Sequence, residues 1–239
     1  MKSTFPLLLL LICFSFFSNA QKLSSFKKFR TQVPEPSDLV YNKDYSKFYC
    51  VSDQGFLFMI DTAGKILKQS KRTGTDFEGV YVDDQYVYVT DERTRRILLY
   101  DIESLAYIKQ YEVSYAGAAN EGYEGMTFNK KKNCYLLSIE KNPTMLFELN
   151  KDFQKLAEIP IKSISDISSI CYHDDFIYIL SDEDEKVVKL DPSTYAIISS
   201  WKIPVTNPEG ICFDAQGHLV IQSDKDQKIY KFNLAQLPK

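Results

Sequence analysis

Acidic residues recur at two fixed places in this chain, and that recurrence defines the chemistry open to it. Five segments begin with a glutamate or a serine and run into apolar residues: Ser37-Asp38-Leu39, Glu78-Gly79-Val80, Glu124-Gly125-Met126, Ser168-Ser169-Ile170 and Glu209-Gly210-Ile211. A second apolar stretch follows each and ends in an acid, at Asp53, Asp91, Glu140, Asp182 and Asp224, while Asp38, Asp76 and Asp166 stand beside the first set. Carboxylates that converge from several segments raise one another's pKa unless a cation or hydrogen-bond donors intervene. Oxygen-only ligands suit a hard cation, and Ca²⁺ with waters completing its shell is the expected one. Glu78, Glu124, Glu209 and Glu140 are the expected metal ligands, with Asp91, Asp166, Asp182 and Asp224 lining the same binding face. The competing reading is turn chemistry, in which each acid accepts loop N–H groups or pairs with Arg93, Arg95, Arg96, Lys141 or Lys186.

Other chemistry finds little support. The two histidines, His173 and His218, fall in or beside turns at the opposite end of the strands, which argues against a zinc or iron centre and against a Ser-His-Asp triad. No Gly-x-Ser-x-Gly elbow, phosphate-binding glycine loop or dinucleotide fingerprint occurs.

The elements that must position these acids follow from the period. From Asp38 through Gly79, Gly125, Ser169 and Gly210 the spacings are 41, 46, 44 and 41 residues. Several short strands within a repeat of that length are the mark of a propeller blade. In the second repeat, strands over 80–82, 86–90, 96–100 and 107–113 are separated by turn residues such as Asp83-Asp84-Gln85 and Asp101-Ile102-Glu103-Ser104. The fifth repeat stops after its third strand, and the stretch 26–33 precedes the first repeat where a fourth strand would stand. The reading is therefore all-β: a five-bladed β-propeller, four antiparallel strands per blade, its ring closed by an N-terminal strand that completes the last blade. A β-solenoid would need caps, and none is visible. In an up-and-down blade the start of the first strand and the end of the second share one face, so both sets of acids are expected at one mouth of the central channel.

Residues 1–20 read as a cleaved signal peptide: Lys2, an apolar run from Phe5 to Phe17, then Ser18-Asn19-Ala20. Residues 21–239 then form one domain of about 44 residues per blade, with 28 basic against 32 acidic side chains. No transmembrane segment is expected, and without a basic stripe nucleic acid is a poor partner. Cys50, Cys134, Cys171 and Cys212 are expected to be free, because the last two occupy equivalent places in successive repeats, too far apart for a disulfide.

The runs Asp76-Phe77-Glu78-Gly79-Val80 with Thr90-Asp91-Glu92-Arg93, and Asn120-Glu121-Gly122-Tyr123-Glu124-Gly125 with Glu140-Lys141-Asn142-Pro143, resemble the YjiK, or SdiA-regulated, family of exported bacterial propellers. Asp166-Ile167-Ser168 with Leu180-Ser181-Asp182-Glu183, and Asn207-Pro208-Glu209-Gly210, extend the likeness over the mature chain. The resemblance implies a five-bladed propeller with a calcium site, distantly similar to NHL-repeat propellers, and no established activity. Ser37 and Ser168 depart from a symmetric ring of glutamates. Two functions follow as expectations. One is a monomeric calcium-binding module, periplasmic, envelope-associated or secreted, that holds a small molecule or an envelope protein. The other is a metal-dependent lactonase or esterase with Glu124 or Glu140 as general base.

Overall fold

The computed structural model describes residues 23–118 and 121–234; the expected signal peptide lies outside them. Twenty strands form five four-stranded antiparallel sheets. Blade 1 runs outward from β2 (Pro36–Tyr41) through β3 (Lys47–Ser52), β4 (Phe56–Asp61) and β5 (Ile66–Gln69). Blade 2 contains β6 (Phe77–Val82), β7 (Tyr86–Asp91), β8 (Arg96–Asp101) and β9 (Tyr107–Glu112). Blade 3 contains β10 (Tyr123–Asn129), β11 (Cys134–Ile139), β12 (Met145–Leu149) and β13 (Lys155–Pro160). Blade 4 contains β14 (Ser169–His173), β15 (Phe176–Ser181), β16 (Lys186–Leu190) and β17 (Ile197–Lys202).

Blade 5 has β18 (Pro208–Phe213), β19 (Leu219–Ser223) and β20 (Lys228–Phe232) from the C-terminal end of the chain, and its outer strand is β1 (Ser25–Arg30). The pairing is antiparallel, with Lys28 opposite Tyr230 and Arg30 opposite Lys228. The expected closure of the ring is thus observed, and it covers the edge of β20 that would otherwise be open to pairing.

Alternation along each strand sends apolar side chains to both faces of a blade, so the apolar interior divides into five clusters, one between each pair of neighbours. Blades 1 and 2 meet through Tyr49, Leu57, Phe77 and Leu98, and blades 5 and 1 through Val220, Ile229, Leu39 and Phe48. All four cysteines in the described residues are free. No helix there is long and apolar enough to cross a membrane.

Glycine follows the glutamate in three inner strands because neighbouring inner strands approach too closely for a side chain. A Cβ on Gly79 would lie 2.3 Å from the Glu124 carbonyl oxygen, one on Gly125 would lie 2.8 Å from Ile170 N, and one on Gly210 would lie 3.0 Å from Leu39 N. None of the three has a positive φ, so interblade contact selects them. Gly79→Ala is expected to destabilise the protein by about 1–3 kcal/mol, as overpacking does. A urea midpoint unchanged from wild type would show that β6 can move aside.

Candidate metal centre

In blades 1, 2, 3 and 5 the first residue after the second strand bonds back to the residue that precedes the inner strand. Asp53 N donates to Glu35 O, Glu92 N to Asp76 O, Glu140 N to Gly122 O and Asp224 N to Asn207 O; in blade 4, Asp182 N donates to an Asp166 carboxylate oxygen. The ring of acids beside the channel mouth is therefore Asp53, Glu92, Glu140, Asp182 and Asp224. Asp91 is one residue out of register. It lies opposite Phe77, in the place of Ser52 opposite Pro36 and Ser223 opposite Pro208. Fully buried, its carboxylate accepts from Thr75 N, the Thr75 hydroxyl and Thr94 N, with Arg96 at 3.5 Å.

Asp91 is accordingly part of the turn in blade 2, and Glu92 takes the position expected of it. The signal was present in the chain: Gly79 to Glu92 is 13 residues, like Ser169 to Asp182 in the other repeat with a two-residue turn between its first strands. Asp166 also serves its own turn, accepting from the Ser181 hydroxyl, Asp182 N and Glu183 N.

The inner glutamates reach the mouth through breaks in pairing register. The ladder shifts between Phe77 and Gly79, between Tyr123 and Met126, and between Pro208 and Gly210, which leaves Glu78, Glu124 and Glu209 outside regular pairing. Such bulges re-aim side chains. The N–H of the following glycine is then taken by a hydroxyl of the second strand: Gly79 N bonds Thr90 Oγ1 at 2.6 Å and Gly125 N bonds Ser138 Oγ at 2.7 Å. Ser37 and Ser168 stand at the same level, donating to an Asp53 carboxylate oxygen and to Pro208 O.

Two groups of carboxylates come together over blades 2 and 3. Ligand atoms of Asp76, Glu78 and Glu92 lie within 4.8 Å of one another, as do those of Glu92, Glu124 and Glu140. Glu92 belongs to both. Two oxygens bound to one Ca²⁺ at roughly 2.4 Å cannot be more than about 4.8 Å apart, and neither group exceeds that limit. Glu209, Asp182 and Asp224 belong to the same mouth but to neither group. Glu209 instead takes the Asn207 side-chain amide at 2.7 Å.

Donors serve the rim of this cluster and not its middle. Arg93 Nε is 2.6 Å from Asp76, Lys141 Nζ 2.8 Å from Glu140, and Gly122 N 2.8 Å from Glu92. Among the described residues, the Glu78 and Glu124 carboxylates accept no hydrogen bond, although Glu124 is only 7% exposed. Burial drives both pKa values well above the ordinary carboxylate value, and the surrounding acids add to the rise. Burial likewise lifts Glu92 to about 7 and Glu209 to about 8, and raises Glu140, Asp166, Asp182 and Asp224.

The sign of the resulting pH dependence follows. Glu92 and Glu209 keep protons in the folded chain that the unfolded chain has released by about pH 5. Their stabilising contribution is complete below pH 4.5 and is lost as pH rises through 7 and 8. In chelator, the melting temperature is expected to fall from pH 5 to pH 8.5; a rise over that range would contradict this account.

The class defined by this geometry is a five-bladed propeller with a carboxylate-lined channel mouth. The chain belongs to the SdiA-regulated family, which it matches over residues 25–233. Among solved structures it is similar in fold to a glutaminyl cyclase from Myxococcus xanthus, with a TM-score of 0.75 at 14% identity over 89% of this chain and 96% of that one. Hydrazine synthase from Kuenenia stuttgartiensis aligns with a TM-score of 0.55 at 12% identity over 87% of this chain and 59% of that one. The Swd1 β-propeller domain of Myceliophteria thermophila aligns with a TM-score of 0.52 at 11% identity, over 84% and 65% respectively. At these identities the likeness concerns the fold alone.

Proposed function

We propose that the protein is an exported cation-binding propeller whose acidic mouth takes one Ca²⁺ between blades 2 and 3 and presents it to a small molecule or an envelope partner. The observation that carries the reading is Glu124, a side chain only 7% exposed that accepts no hydrogen bond from a described residue and has a ligand atom within 4.8 Å of those of Glu92 and Glu140. Carboxylates that converge at short range repel one another, and a divalent cation at that point offsets the repulsion. Glu92, Glu124 and Glu140 would hold the ion, with Asp76 and Glu78 beside it through the shared Glu92, and the ion would supply charge neutralisation and open coordination positions. The purely structural reading of these acids accounts for Asp91 and Asp166, whose donors are in place, and leaves Glu78 and Glu124 unexplained.

The hydrolytic alternative has one observation in its favour. Glu124 stands at the same point with a carboxyl whose pKa burial drives above the ordinary carboxylate value, and raising a carboxylate's pKa is one way to make it a better general base. A panel of lactones and esters assayed with and without calcium separates this alternative from pure binding.

Calcium titration with simultaneous proton release tests the cation site itself. Binding to carboxylates held partly protonated must expel protons. Saturable uptake with protons released at pH 7, and less release at pH 8.5, is the expected result. Uptake without proton release would place the ion elsewhere, and no uptake would leave the acids without a cation.

A further inference from the structure

The end of the channel opposite the acids holds a separate compartment. Its cavity measures about 790 Å³, within the range of small-molecule sites. One apolar residue from each blade, Leu39, Val80, Met126, Ile170 and Ile211, stands at equivalent inner-strand positions in its lining. The carboxylates of the acidic mouth do not line it. Rings converge from all five blades: Tyr41, Tyr45, Tyr81, Phe128, Tyr172 and Phe213. His173 stacks on Phe213 with ring centroids 4.0 Å apart and planes 4° from parallel.

Two polar groups on one side of this cup lack the partners that others at its rim have. Lys43 is paired with Asp84 at 2.7 Å and Asp83 is taken up by Gln85 N, Tyr86 N and the Tyr88 hydroxyl. Lys130 lies 5.9 Å from the Tyr172 ring centroid and, among the described residues, within reach of no carboxylate. Neither ring nitrogen of His173 makes a hydrogen bond to a described residue; burial holds its pKa below the ordinary value, and Asp174, Asp214 and Lys130 are the charged groups that face it. A flat apolar body fits between rings, and an anionic group at its end meets the Lys130 ammonium and the unpartnered ring of His173.

We propose that this cup is a second ligand site, independent of the acidic mouth, for a planar aromatic molecule that carries one anionic group. The ring-lined walls supply the apolar contact, and Lys130 with His173 selects the charge.

The probe is 1-anilinonaphthalene-8-sulfonate, compared with the uncharged N-phenyl-1-naphthylamine, on the natively folded protein in chelator and in calcium. One saturable site with blue-shifted emission is expected for each. Lys130→Glu, an exposed turn substitution, is expected to weaken the sulfonate about tenfold, the loss of one charge-assisted contact, and to leave the neutral probe unchanged. Leu156→Lys, on an outer strand, is expected to change neither. The proposal is overturned if neither probe saturates, if Lys130→Glu binds the sulfonate like wild type, or if it weakens both probes equally with an unaltered melting curve. Loss of binding in Leu156→Lys would move the probe to the outer strands, and loss in chelator would move it to the acidic face; either result also overturns it.

Discussion

Saturating calcium is expected to raise the melting temperature of the wild-type protein by about 5–10 °C and to leave Glu92→Gln unmoved. A ligand that binds only the folded state contributes roughly 2.7 kcal/mol at a hundredfold excess over its Kd. For a domain of this size each kcal/mol corresponds to about 2–4 °C. Glu92 is the sharpest position to test because its carboxylate belongs to both groups, with Asp76 and Glu78 on one side and Glu124 and Glu140 on the other.

The same substitution has the opposite effect without the ion. Burial and the neighbouring Asp76 and Glu140 raise the pKa of Glu92 despite the Gly122 N–H. Replacing the acid with a neutral amide removes that repulsion, so in chelator at pH 8 Glu92→Gln is expected to melt above wild type. The two melting curves should cross on addition of calcium. Asp91→Asn supplies the contrast: its carboxylate holds Thr75, Thr94 and Arg96, so it should melt lower with or without the ion, by the same amount. Calcium responses lost in Asp91→Asn and kept in Glu92→Gln would reverse the assignment.

Asp38→Ala is expected to cost about 2–5 kcal/mol, as removing a buried acceptor shared by several donors does. Asp38 occupies in β2 the position that glycine holds in β6, β10 and β18. Its buried carboxylate accepts from Leu39 N at 2.8 Å, from Val80 N of blade 2 at 2.9 Å and from the Ser169 hydroxyl of blade 4 at 2.9 Å. Burial outweighs these donors and moves its pKa to about 8. It thus ties blades 1, 2 and 4 together.

Alanine would leave donors of three blades facing one another with no acceptor, each costing about 1–3 kcal/mol if water does not reach it. The urea midpoint should fall with the slope unchanged, and calcium should not restore it. Asp38→Asn should lose less, because one oxygen remains. A loss below about 1 kcal/mol for alanine would mean that water enters the channel centre and serves those donors.

Most of the architecture was legible in the residues. The spacing of Asp38, Gly79, Gly125, Ser169 and Gly210 counts the blades, because each blade repeats the same strands and turns with side chains alternating between two packed faces. The missing fourth strand of the last repeat and the stray strand before the first imply the closure seen between β20 and β1. That both sets of acids share one face follows from the up-and-down path alone.

The membership of the acid cluster was not legible to the same degree. Thr90-Asp91-Glu92 offers two adjacent acids, and a strand reverses the direction of its side chains at every residue, so a one-residue choice decides between a buried turn and the channel mouth. The chain by itself determined the repeat, the number of blades, the closing strand and the face that carries the acids, because these depend on local alternation and turn chemistry. Only the tertiary structure decided that Glu92 joins Glu78 and Glu124 while Asp91 withdraws, that Asp38 spans the channel, and that three glycines serve neighbouring blades. Those outcomes depend on bulges and on distances between strands about forty residues or more apart in the chain, and these are set by the packing of blade against blade.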